Sequence, residues 1–112
     1  MAHLSIGRRY SGTLERVICS PLRFFIVIDS NTMEFVLADT VLRPDSTPDA
    51  VLSALAPAVG GLIEIEVRNV RDDGEYNADI WYPEPIIEDD EVEYVSMLHL
   101  RTVLVRDGLV TL

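Results

Sequence analysis

The sequence predicts a mainly β fold, five strands closed into a barrel, with one helix after the third strand and another at the C-terminus. Three observations carry that expectation. β-branched or alternating runs recur in both halves of the chain, turn residues punctuate them at short intervals, and one capped apolar stretch separates the third run from the fourth.

Residues 11–18 (SGTLERVI) alternate polar and apolar side chains, and residues 23–29 (RFFIVID) are aromatic and β-branched. Both read as strands, with Ser20-Pro21 as the turn between them. Ser30-Asn31-Thr32 interrupts again before residues 33–38 (MEFVLA), the third strand of a meander. Thr47-Pro48-Asp49 has the chemistry of a helix start: a capping hydroxyl, a proline whose missing N–H costs nothing in the first turn, and a carboxylate at the positive end of the dipole. The helix is expected over residues 50–56, with Val51, Leu52 and Leu55 on its buried face. Pro57 and Gly60-Gly61 end it.

Residues 62–70 (LIEIEVRNV) alternate strictly, Ile63, Ile65 and Val67 on one face and Glu64, Glu66 and Arg68 on the other. Asp73-Gly74 signals a hairpin, and residues 76–82 (YNADIWY) return as the fifth strand, with Trp81 read as barrel core. The acidic stretch 84–93, carrying Pro85 after Pro83, reads as a loop. Residues 94–107 space Val95, Leu98, Val103 and Leu104 as a helix would, with Gly108 as the stop. Ile63, Ile65, Val67, Leu98 and Leu104 are the expected core. Five strands interrupted by a helix after the third is the plan of a Greek-key OB-fold barrel.

Composition narrows the function. A chain of 112 residues that is 48% hydrophobic can bury one core without staples, so residues 1–112 read as a single domain. The lone Cys19 forms no intrachain disulfide and no Cys-based metal site by itself. No run of apolar residues is long enough to span a bilayer, and residues 1–7 lack the apolar stretch of a signal peptide, so a cytoplasmic or virion location is expected and no membrane partner. Nineteen acids stand against nine basic residues, all Arg, for a formal net charge of −10. Nucleic-acid binding draws on clustered cations, so nucleic acid is not the expected partner either.

The order and spacing of several short stretches resemble the staphylococcal-nuclease-like (thermonuclease) domains over roughly residues 10–110. DDGEYNADIW (72–81) is similar to the family's Gly-Arg hairpin followed by apolar-Ala-Asp. LRTVLVRDGL (100–109) is similar to its Leu-Asn-x-x-Leu-Val-x-x-Gly-Leu ending, while RVI (16–18) and FVLADT (35–40) match more loosely. The resemblance implies an OB barrel and, in active members, calcium-dependent phosphodiester cleavage by aspartates, a glutamate and two arginines. This chain departs from that set. The family's Asp-Gly-Asp-Thr falls on Cys19, Ser20, Pro21 and Leu22, which offer calcium no carboxylate, the first arginine on Val36, and the second on Glu75. The motif holding the glutamate falls near Val41 to Pro44, leaving Arg43 and Asp45 displaced. The expected consequence is a site without catalysis, cofactor or metal, because attack on an anion needs its charge neutralised.

Other features read more plainly. Glu88-Asp89-Asp90-Glu91 lacks the glycine and ligand spacing of a calcium loop. His3 and His99 have no partner at metal-ligand spacing, and His99 is expected on the polar or partly buried side of the last helix. Cys19 is a small buried hydrophobe or, with Arg16 and Arg23 near it in sequence, a thiol of lowered pKa. The first expectation is therefore a catalytically inactive nuclease-like module with a structural or protein-interaction role, for instance a subunit of a phage virion or tail. A calcium-dependent nuclease with a rearranged site, Asp45 standing for the glutamate, and a single-strand nucleic-acid binder are the alternatives. The expected contact is the segment 82–94, with Tyr82, Ile86, Ile87, Glu88, Asp89, Asp90 and Tyr94 meeting a basic protein surface.

Overall fold

A computed structural model describes residues 4–19 and 21–111, and inside the strands it leaves aside the side chains of residues 84–88, 92–96 and 111. In chain order the elements are β1 (Arg9–Ile18), β2 (Arg23–Ile28), β3 (Asn31–Leu37), β4 (Val41–Leu42) and α1 (Pro48–Leu55) with a 3-10 turn at Ala56–Ala58. Then follow β5 (Leu62–Val70), β6 (Tyr76–Glu88), β7 (Glu91–His99), α2 (Leu100–Arg106) and β8 (Val110–Thr111).

Sheet order β3-β2-β1-β5-β6-β7, with β3 also joined to β6, closes the five strands β1, β2, β3, β5 and β6 into a barrel of OB type. The closing seam is parallel, Phe35 opposite Tyr76 and Leu37 opposite Ala78, whereas the other barrel ladders are antiparallel. Closure leaves each barrel strand with two neighbours over part of its length, so few backbone groups there need water. The interior is filled as the alternation in β5 demands: Ile63, Ile65 and Val67 are fully buried beside Leu14, Phe24 and Phe35. Gly12 on β1 permits the tightest approach, since a Cβ there would stand 2.6 Å from the Val27 carbonyl oxygen.

Both helices plug the barrel from chemistry visible in the sequence. The Thr47 hydroxyl accepts a hydrogen bond from the Ala50 N–H at 3.2 Å, and Val51 and Leu55 are buried while Leu52 is half-buried. At the far end Gly108 takes φ 70°, its N–H donating to the Val105 carbonyl at 3.0 Å, and the Leu109 N–H reaches the Leu104 carbonyl at 2.9 Å. Among the described residues no helix is long and apolar enough to cross a membrane.

The structure corrects the C-terminal third. Residues 84–93 are the outer half of an antiparallel hairpin and not a loop, with Ile86 opposite Glu93 and Glu88 opposite Glu91. Asp89 and Asp90 form a two-residue turn with φ of 50° and 64°, the twist that hairpins prefer, and Asp29-Ser30 does the same between β2 and β3. Residues 94–99, expected in the last helix, belong to β7. Val95 and Leu98 mimic helical spacing, but pairing with β6 outweighs it, and helix α2 begins at Leu100, where the preceding His99 caps it. Leu98 is accordingly half-buried on a strand rather than in the core. Trp81 also turns outward: Ala78 and Ile80 hold the inward phase of β6, so the period of two puts Asp79 and Trp81 on the opposite face.

Candidate functional site

Two places gather chemistry, the barrel mouth and the hairpin beyond it. At the mouth, an open cleft of about 350 Å3 is lined by Pro21, Leu22, Arg23 and Val36 among others, with Arg71 and Thr40 at its side. It runs into a second hollow that adds Asp39 and Asn77. Two of the positions where the resemblance implies catalytic groups therefore reach this cleft as Pro21 and Val36, whose side chains can hold neither a cation nor an anion.

Glu75 follows the β5–β6 turn. Gly74 takes φ 87°, its N–H donates to the Arg71 carbonyl at 2.9 Å, and the Arg71 N–H donates to the Glu75 carbonyl at 2.8 Å. The Glu75 N–H donates to the Asp73 carboxylate at 3.0 Å, and this bond first of all holds the Asp73 carboxyl below its ordinary value. That turn delivers the Glu75 carboxylate to Arg23, with Oε2 2.5 Å from Nε and both side chains less than one-fifth exposed, at 16% and 18%. The Arg23 guanidinium, which lines the cleft together with Arg71, is thus already neutralised by a side chain of the protein itself. Asp45 lies elsewhere, pairing with Arg43 at 3.6 Å and 80% exposed. Among the described residues no group of three His, Cys, Asp or Glu side chains is placed to hold a metal ion.

Cys19 is half-buried against the core, and burial pushes its thiol up from the ordinary value. Neither nearby arginine activates it, since Arg23 is held by Glu75 and the Arg16 guanidinium lies 4.2 Å over the Phe25 ring. The direction of that shift favours the hydrophobe reading over the activated thiol.

The outer wall carries a cluster that the sequence left scattered. Asp79, 9% exposed, accepts from Arg68 at 3.0 Å on one oxygen and lies 2.9 Å from His99 Nε2 on the other. His99 Nδ1 accepts the Arg101 N–H at 2.9 Å, so Nε2 carries the proton and donates to Asp79. Through its two ring nitrogens His99 fastens the start of α2 to β6. Its ring meets Trp81 edge-on, with centroids 5.2 Å apart, and Arg9 covers the Trp81 ring at 4.3 Å while pairing with Glu64 at 3.3 Å. The signal for this cluster was present in the polar phase of β5, but its partners lie on four other elements, β1, β6, β7 and α2.

The second place is the far half of β6 and β7. β5 accompanies β6 as far as Trp81, which lies opposite Glu64; beyond it, residues 82–88 pair with β7 in a two-stranded arm. Of the residues expected to meet a partner, Tyr82 is half-buried where the arm leaves the barrel, and Asp89 and Asp90 are exposed at its tip. Ile86, Ile87, Glu88 and Tyr94 lie on the arm's strands, and their side chains are outside the described residues. The arm therefore collects all seven on one hairpin.

Compared with known proteins, the chain matches no family model, no characterised protein and no solved structure.

Proposed function

We propose that this chain is a catalytically inactive, nuclease-like OB barrel that serves as a structural or protein-interaction module within a larger assembly, for which a phage virion or tail is one setting. The observation that carries the reading is the arm. A two-stranded ribbon is marginal by itself in water, and a protein that extends one of its barrel strands into such a ribbon gains from a surface to rest it on. The charge of that ribbon suits a basic protein partner, and the excess of −10 on the whole chain steers such a partner in while repelling phosphate backbones. The Arg23–Glu75 pair supports the inactive half of the reading, because it occupies with a carboxylate the place where the resemblance implies a phosphate-binding arginine.

The experiment is reversal of Glu88, Asp89 and Asp90 to Lys, followed by co-purification of the native partner. The variant is expected to lose the partner, while its thermal midpoint falls only by the modest cost of placing Lys at the two left-handed turn positions 89 and 90. Full retention of the partner removes the arm from the interface.

A further inference from the structure

The arm has two long backbone edges, and the sequence treats them differently. On β6, Pro83 and Pro85 lie inside the ladder, opposite Met97 and Tyr94. A proline in a paired strand sits with its nitrogen turned away from the partner, so both place a missing N–H on the outer edge of β6. That edge cannot donate in register to another strand. β7 has no proline, and among the described residues it pairs with β6 alone, so its outer edge keeps its donors and acceptors. A register shift beside Val95 divides it into residues 91–94 and 96–99.

Proteins commonly blunt exposed edges with prolines, inward charges or Lys. Here one edge is blunted by two prolines, and its neighbour carries acids and a single register shift at Val95 but no proline. Glu84, Glu88, Asp89, Asp90, Glu91 and Glu93 accompany it with no basic residue between Tyr82 and Tyr94. Two such arms brought edge to edge would set like charges against one another, which disfavours a second copy of this chain as the occupant. An extended segment rich in Lys or Arg meets both requirements, backbone groups for the edge and cations for the acids.

Resting on the interaction reading above, we infer that the partner binds by strand addition: an extended, basic polypeptide segment pairs with the outer edge of β7. Backbone hydrogen bonds supply the attachment, and the acids select for cations over neutral or acidic strands.

The test uses the full chain and three synthetic peptides about ten residues long, enough to cover a typical strand. One alternates Lys with Val, the second has the same charge but is interrupted by prolines, and the third carries Glu in place of Lys. Amide hydrogen exchange is read residue by residue. The Lys-Val peptide is expected to slow alternate β7 amides within residues 91–97 by about tenfold or more, with the other two peptides leaving them unchanged. Equal protection by the proline-interrupted peptide would reduce the effect to charge attraction and overturn the inference, as would no protection by any peptide. Failure here remains distinguishable from failure of the broader reading. If the Lys triple variant loses the native partner while β7 amides stay unprotected by peptide, strand addition falls and the arm stays an interface. If the variant keeps its partner, both fall.

Discussion

Barrel and arm are built from one strand, yet they are held in different ways. From Tyr76 to Trp81, β6 is flanked by β5 and, at its start, by β3, and it presents Ala78 and Ile80 to a filled interior. From Pro83 to Glu88 the one strand it pairs with, among the described residues, is β7. The first stretch draws stability from apolar burial and two ladders, the second from one ladder and its turn. The difference teaches that the part of β6 that makes the fold and the part that the proposed function uses are separable. Substitutions should therefore sort by which half they touch.

The largest effect belongs to the barrel. Ile65→Ala should cost about 2 to 5 kcal/mol in urea unfolding, since it opens a cavity among fully buried neighbours. A loss no greater than that of the triple Lys variant on the arm would erase the contrast between the two regions. Next comes the barrel mouth. Arg23→Met strands the Glu75 carboxylate in a largely buried place and should cost on the order of 3 kcal/mol, while adding Glu75→Leu to it should restore most of the loss. If the double variant is no more stable than the single one, the two side chains are not coupled and the Arg23 guanidinium is not neutralised by their pairing.

The smallest effect lies at the turn beside that cleft. The Asp73 carboxyl sits below its ordinary value of 3.8, so its stabilising bond to the Glu75 N–H is present above that value and is lost as pH falls through the lowered one. Thermal midpoints of Asp73→Ala and the parent should differ slightly at neutral pH and converge in acid. Because Asp73 is exposed, salt should narrow the gap too. A gap that widens in acid would mean the sign is wrong.

Legibility followed the same division. The strict alternation of β5, the Thr47-Pro48 start of α1 and the Gly108 stop of α2 each have a local cause, so the barrel and both helices could be read from the chain. β7 could not, because Val95, Leu98, Val103 and Leu104 fit a helical period and nothing local marks His99 as a cap. Residues 84–93 read as a loop because prolines and acids are loop residues by composition. On a strand with one partner, prolines can face outward and acids can face water, so composition alone does not separate the two cases. Trp81 reads as core only if Ile80 faces outward; Ala78 and Ile80 instead hold the inward phase, so the period of two puts Trp81 outside, under Arg9. The Asp79–His99 contact joins residues twenty apart through a strand reversal that the chain does not announce.

An inactive barrel mouth and an interacting arm, as proposed, exclude phosphodiester cleavage by this chain. Incubation of the purified protein with single- and double-stranded DNA and RNA at millimolar calcium, beside a chelator control, tests this most directly. The prediction is intact substrate under both conditions. Cleavage that the chelator abolishes, and that disappears in Asp45→Ala or Glu75→Ala, would contradict it and return the barrel mouth to the enzymes.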